Sequence, residues 1–442
     1  MLYQTDSLSP CSRESTALLP IMSLPMPHLK AEGKATLDKL MQEKLAEKTV
    51  PFMFWAATNA SETIYENQAG YNKWDDPSSG EVNRDSTLEM FSMTKFVVSL
   101  ATLQFVENGT VALDDPDQMY KHLPELSELQ VLEGYDKDGN AILVPQKNRI
   151  TLRMLLDHTS GAVHAGRHPR LGQWFESLEK PLAWIFSPDA SIKSIMAPLV
   201  FQPGTSWAYS CGTDWCGVLV SRLSGMSLED YFQKNIFARV EGGMPDTSFY
   251  PRPDMARRKT EVYDQQKDGS KTGYRFYMGR AETPEQVSKD FLSGAGGLFG
   301  TTKDYLALCR SVLQCDPRNS RKPSNPIINH NTYELLFKPS LTLDKAKKEA
   351  SIFFGNEHYL FLDASETNVN HSVALALSLE DAPHGRRAGS GWWSGLAHTQ
   401  FWLDPKTGLA GVCNTQVVAP NPHPWNKIYQ AFERTLYENI EQ

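Results

Sequence analysis

Ser92 and Lys95 stand three residues apart in the stretch Met90-Phe91-Ser92-Met93-Thr94-Lys95-Phe96-Val97-Val98. Apolar residues then recur near the helical period at Phe96, Val97, Leu100, Leu103 and Val106, and Asn108-Gly109 is a stop signal. The pattern predicts an amphipathic helix with Ser92 at its start. Residues i and i+3 share a helix face, so the Lys95 amine can reach the Ser92 hydroxyl. A serine hydroxyl is a weak nucleophile at neutral pH and needs a base beside it. A lysine can be that base where apolar surroundings and a second polar partner favour its neutral form. A helix N-terminus adds unpaired amides and partial positive charge where an oxyanion would form. A second Ser-x-x-Lys, Ser177 to Lys180, follows Trp174-Phe175-Glu176 with no long apolar helix behind it, and is read as chance.

Two other stretches carry candidate chemistry. In Gln202-Pro203-Gly204-Thr205-Ser206-Trp207-Ala208-Tyr209-Ser210-Cys211, Tyr209 could exchange protons with a lysine–serine pair and share the base role. Gly389-Ser390-Gly391-Trp392-Trp393-Ser394-Gly395-Leu396 places small residues at a strand edge, where a backbone amide can face a nucleophile. A preorganised donor of that kind stabilises a transition state by about 3–4 kcal/mol. Other mechanisms fit less well. Gly204 to Ala208 comes nearest to a Gly-x-Ser-x-Gly elbow and fails at its last residue. His158, His164 and His168 cluster without acidic ligand spacing, so no metal is expected and His158 reads as a hydrogen-bonder at a helix end. Gly134 to Gly139 lacks the terminal glutamate of a calcium loop and reads as a polar turn. Ser293 to Gly300 lacks the Gly-Lys-Ser/Thr ending of a phosphate loop and reads as close backbone packing.

The elements that must position these residues follow from periodicity. A helix is predicted from about 30 to 48, then a β-prone run at 51–57 with a hairpin partner around Ile64-Tyr65 and Gly70-Tyr71. Ile150 to Gly161 reads as a short capped helix, and 170–240 as mostly helical, with helices at 215–223 and 227–236. Residues 252–290 read as an irregular polar excursion, followed by a helix at 302–313. Strands at 398–403 and 409–418 flank the turn Asp404 to Gly408, and a last helix covers 425–440. Strands near both ends and helices between them predict one sheet built from both parts of the chain. The expected division is a loose tail at 1–28, a sheet domain of 29–125 plus 290–442, and a mostly helical insertion at 126–289.

The 442 residues suffice for a large core, and a net charge of −8 leaves no basic surface for nucleic acid. No apolar run is long enough to span a membrane. Cys11, Cys211, Cys216, Cys309, Cys315 and Cys413 are scattered, which suits buried thiols in a reducing compartment. The first 27 residues lack the charged-then-apolar order of a secretory signal, and a cytoplasmic location is expected.

Ser-x-x-Lys, a tyrosine after Pro-Gly-x-x-Trp, and a small-residue strand, in that order, resemble the serine β-lactamase and penicillin-binding-protein superfamily. Supporting stretches at 150–161, 201–225, 243–249 and 294–304 extend the resemblance over about 35–440. Within it, residues 126–136 and 150–153 are most similar to the fungal transesterase branch, which includes lovastatin side-chain acyltransferases, with class C-like esterases as neighbours. The resemblance implies an α/β (α+β), β-lactamase-like fold: a central antiparallel sheet flanked by helices, with an inserted helical region. It implies a Ser92 acyl-enzyme served by Lys95 and Tyr209, with the Ser92 and Leu396 amides as oxyanion hole, and no cofactor. The donor would be a small ester or thioester, free or carrier-bound, and the acceptor a small-molecule alcohol. Ester hydrolysis is the alternative, and a non-catalytic binding protein a third. Two departures stand out. Cys211 takes the place of an asparagine two positions after the tyrosine, and Trp393-Ser394-Gly395 takes the place of Lys-Thr-Gly. Neither can hold a substrate amide or carboxylate as the family pattern does, so a neutral or aromatic substrate is expected, with Trp392 and Trp393 as walls and Ser394, Gly395 and Cys211 beside it.

Overall fold

The computed structural model describes residues 23–250, 252–273, 288, 291–356, 364–365, 367–420 and 423–441. Helix α1 (Gly33–Ala46) leads into strands β1 (Phe52–Thr58), β2 (Thr63–Lys73) and β3 (Asp76–Glu81). Helix α2 (Thr94–Glu107) follows, then α3 (Leu152–Leu156), α4 (Gly212–Ser224), α5 (Leu228–Asn235), α6 (Thr302–Leu313) and α7 (Asp344–Asn356). The last part of the chain supplies β4 (Val369–His371), β5 (Ala376–Ser378), β6 (Gly391–Gly395), β7 (Thr399–Asp404), β8 (Leu409–Asn414) and helix α8 (Trp425–Glu438). The eight strands form one antiparallel sheet in the order β4-β5-β6-β7-β8-β1-β2-β3. Its two halves join where β8 pairs with β1, Cys413 facing Trp55.

Strand β1 is buried along its whole length. That is why Phe52 to Ala57 is a continuous apolar run with no polar alternation: helices cover both faces of the sheet. On one face Trp55 stacks on Phe432 of α8 at 4.8 Å. On the other, Phe401 of β7 meets Phe96 of α2 and Tyr305 of α6, each at 5.0 Å.

Helix α2 departs from the expected amphipathic pattern. Residues 94–105 are buried on every side. Its polar residues tolerate this because Ser99 Oγ donates to the Lys95 carbonyl and Thr102 Oγ1 to the Val98 carbonyl, both at 2.8 Å. A helix enclosed all round is a central strut, and a residue just before it is held firmly in space.

The stretch 126–289 is less helical than predicted. It carries a hairpin, Val131–Tyr135 with Ala141–Val144, turned by Asp136, whose Oδ1 accepts from the amides of Asp138 and Asn140 at 2.9 Å. Tyr263–Gln265 pairs with Lys271–Gly273 and, in parallel, with Val417–Val418. Residues 274–287 of the predicted excursion lie outside the described residues, as does most of the predicted tail. The tail ends earlier than expected: Leu24 is buried, its amide donates to the Arg318 carbonyl at 3.2 Å, and His28–Leu29 pairs with Ile440–Glu441.

Candidate active site

Ser92 sits in a short 3-10 turn, Phe91–Met93, that runs directly into α2. The turn is anchored by Met90 N donating to the Leu298 carbonyl (3.0 Å) and by Tyr305 Oη donating to the Met93 carbonyl (2.9 Å). Phe91 has φ of +46°, a left-handed conformation that costs a non-glycine residue about 1–3 kcal/mol. Its buried side chain holds it there. Lys95, also buried, points its Nζ at Ser92 Oγ (3.2 Å) and at the Ala295 carbonyl (2.7 Å). Tyr209 Oη lies 2.6 Å from Ser92 Oγ, and Lys95 Nζ stands 4.7 Å from the Tyr209 ring centroid. Lys95 from the next helical turn and Tyr209 from 117 residues away thus converge on the Ser92 oxygen.

Tyr209 is held by the end of α3. Thr151 caps that helix, accepting from Met154 N at 3.3 Å. After it the chain turns through His158 at φ +67°. The His158 carbonyl accepts from Ala208 N (3.1 Å) and its Nδ1 from Ser210 N (3.2 Å), so one histidine grips both neighbours of Tyr209. Burial, and then the nearby His371 and Lys95, push the His158 pKa well below its ordinary value. A neutral ring accepting at Nδ1 carries its proton on Nε2.

The three residues face a cavity of about 480 Å³. Its apolar walls include Phe91, Trp184, Phe186, Trp207 and Phe353, with Glu349 and Ile352 of α7 also lining it. Leu396 and Gly395, at the end of β6, line it opposite. A side chain at Gly395 would collide with the Met90 carbonyl at 2.5 Å and Thr399 Oγ1 at 2.3 Å, so only glycine lets β6 approach the nucleophile turn.

The other expected substrate contacts are elsewhere. Trp392, Trp393, Ser394 and Cys211 are buried and are not part of the cavity lining. Trp393 packs behind the site, 5.8 Å from Tyr209 and 5.7 Å from His158 by ring centroids. Burial pushes the Cys211 thiol well above its ordinary pKa, leaving it inert. Ser177 and Lys180 are exposed, with Ser177 Oγ donating to the Trp174 carbonyl at 2.7 Å.

Sequence reasoning missed Trp184 and Phe186, which sit in irregular backbone without a periodic signal, and Phe353, which the α7 helix brings in. It named His164 but not its partner. His164 lines the cavity, and its Nε2 is 2.8 Å from Oδ2 of the fully buried Asp214. Asp214 Oδ1 accepts from Ser293 Oγ (2.6 Å) and Ala295 N (3.1 Å), the same Ala295 whose carbonyl holds Lys95.

The sequence profile of the β-lactamase family matches residues 37–433. The chain belongs to the β-lactamase family. It is 30% identical over 371 residues to the monacolin J acid methylbutanoyltransferase of Aspergillus terreus, covering 81% of this chain and 83% of that one. It is 31% identical over 340 residues to the lovastatin esterase of Penicillium rubens, covering 76% and 81%. Among solved structures, the unliganded selenomethionyl simvastatin synthase of Aspergillus terreus superposes with a TM-score of 0.77 at 26% identity, covering 92% of this chain and 98% of that one. The β-lactamase-like fold and antiparallel sheet expected from the sequence are present.

Proposed function

We propose that this protein is a serine acyltransferase that moves an acyl group from a small ester or thioester to a small-molecule alcohol. The observation that carries the reading is the placement of Ser92 Oγ, 3.2 Å from Lys95 Nζ and 2.6 Å from Tyr209 Oη, on an aromatic-walled cavity. Ser92 Oγ bonds to the donor's acyl carbon while its proton passes into the Lys95–Tyr209 pair and on to the leaving oxygen or sulfur. The amides of Ser92 and Leu396 hold the oxyanion, worth about 10²–10³ in rate for each donor. The acceptor hydroxyl then attacks, its proton returns to Ser92 Oγ, and the new ester leaves. A thioester donor is delivered free or on a carrier. The five described cysteines are free and buried, which agrees with a reducing, cytoplasmic setting. Among the described residues no helix is long and apolar enough to cross a membrane.

Hydrolysis by the same acyl-enzyme is the second reading, favoured by the likeness to a relative named an esterase. Incubation with a p-nitrophenyl acyl ester, with and without alcohols, separates them. Transfer predicts an acyl adduct on Ser92 by mass spectrometry and acylated alcohol as the main product. Free acid that no alcohol diverts would make the protein an esterase, and the absence of any adduct or turnover would refute both.

A further inference from the structure

The acyl-transfer steps engage Lys95 and Tyr209 and leave the His164–Asp214 pair in the same cavity without a task. His164 has 14% of its side chain exposed, and Asp214 has 0%. Both Asp214 oxygens are engaged, Oδ1 by Ser293 Oγ and Ala295 N and Oδ2 by His164 Nε2, so the carboxylate is fixed and fixes the ring it holds. In the neutral ring, with the Nε2 proton donated to Asp214, Nδ1 carries a lone pair. Among the described residues Nδ1 has no hydrogen-bond partner. The neighbouring wall is apolar at Val163, Trp184, Ile185 and Phe186; the other polar side chains on the lining outside the Ser92 group are Glu349, which is exposed, and His168, whose Nδ1 already accepts from Arg170 N.

We infer that His164, held by Asp214, is where this cavity recognises a hydrogen-bond donor, a hydroxyl in the first place, on an otherwise apolar substrate. The inference rests on the proposed reading only in taking a neutral alcohol or ester as the occupant. Aromatic walls bury an apolar body without fixing its rotation, and a single placed polar group supplies that orientation. A site built to bond a hydroxyl rejects the analogue lacking it, because its own polar atom is then left unpaired. A neutral hydrogen bond of this kind corresponds to a preference of up to about tenfold. Lys95 cannot fill the role, since its Nζ donates to Ser92 Oγ and the Ala295 carbonyl.

The test is equilibrium binding to the full-length Ser92→Ala protein, which cannot be acylated, read by calorimetry. The probes are cyclohexylmethanols and phenylpropanols in matched series, a ring or chain hydrogen being replaced by hydroxyl or by fluorine. Fluorine matches the hydroxyl in size and cannot donate. At least one hydroxyl member should bind about tenfold more tightly than its fluoro and unsubstituted counterparts, and adding His164→Phe should bring the ratio to about one. A ratio unchanged by His164→Phe would overturn the inference. So would a protein in which no series distinguishes hydroxyl from fluorine, a comparison that stands even if the double variant fails to fold. Failure of the acyl-transfer reading appears separately, as wild-type protein that gains no adduct on Ser92.

Discussion

Replacing Gly395 by alanine tests how the site is assembled. A Cβ there would lie 2.3 Å from Thr399 Oγ1, 2.5 Å from the Met90 carbonyl oxygen and 3.1 Å from Phe91 Cβ. The carbonyl cannot yield, because Met90 N is bonded to Leu298 and Met93 N to the Met90 oxygen itself. Thr399 cannot rotate freely, being fully buried with its hydroxyl bonded to Met90 O at 3.2 Å. Strand β6 must therefore retreat. Widening 2.5 Å to the 3.4 Å where ordinary contact begins takes a displacement of about 0.9 Å. The shift would carry the Leu396 amide, the proposed second oxyanion donor, away from Ser92, and a misplacement of about 1 Å in a catalytic constellation costs on the order of 100-fold in rate. Overpacking of this kind also destabilises by about 1–3 kcal/mol. Gly395→Ala should thus lower kcat/KM for a p-nitrophenyl ester about 100-fold, or about 2.7 kcal/mol of transition-state stabilisation, while the protein still melts cooperatively. Gly134→Ala, where a Cβ meets nothing within 4 Å, is the control. If Gly395→Ala turned over within about threefold of wild type, the close approach of β6 would not govern the oxyanion hole, and that assignment of Leu396 would fall.

Tyr209→Phe should reduce acylation by about 10²–10⁴ without abolishing it, since Lys95 still reaches Ser92 Oγ; wild-type burst kinetics would remove Tyr209 from the proton path. Ser177→Ala should leave turnover unchanged, because that hydroxyl is exposed and bonded to the Trp174 carbonyl, and a large loss there would mean the nucleophile is misassigned. Burial pushes the His371 pKa down to about 4, so the unfolded chain takes up a proton that the folded chain refuses. Stability from that group is complete above pH 6.5 and falls by about 3 kcal/mol as the pH drops to 4. Urea unfolding at several pH values should show His371→Phe with a flatter dependence, and an equal slope would refute it. Burial would raise the Glu433 carboxyl, but Arg386 and then His384 outweigh it and hold the pKa at about 2. Its contribution is present above pH 4.5 and is lost below it. Glu433→Gln, which removes the carboxylate charge paired with the buried Arg386, should cost about 3–5 kcal/mol in the same measurement.

How much the sequence revealed depended on whether a signal was local. Helix α6 spans 302–313 as predicted, and the β7–β8 turn lies at 405–408. Ser92 and Lys95 were legible because i and i+3 meet through backbone geometry alone. The hidden parts arise from tertiary contact. The polar residues of α2 suggested a solvent face, but back-bonded hydroxyls let Ser99 and Thr102 sit in the core. Trp392 and Trp393 looked like pocket walls because sequence does not say which side of a strand a helix will cover. Asp214 gave no cue because it reaches His164 across 50 residues, from the first turn of α4.

The two departures from the penicillin-binding pattern have one structural consequence. Cys211, where an asparagine would reach a substrate amide, is fully buried at the start of α4. Trp393, where a lysine would reach a carboxylate, is turned inward against His158 and Tyr209. Trp393 packs against the tyrosine and Cys211 is enclosed in the core, so neither position lines the cavity. A cavity that loses its polar contacts on that side must either bind by apolar burial alone or draw polarity from another element. Apolar burial is ample here, with five aromatic residues besides Tyr209 on the walls, but it distinguishes similar shapes poorly, about 10–200-fold per methylene. His164 stands on a different segment from both replaced positions, and its partner Asp214 is tied through Ala295 to the lysine that serves Ser92. Substrate orientation and nucleophile orientation therefore share one loop, 293–295, and a substitution that shifts that loop should disturb both at once.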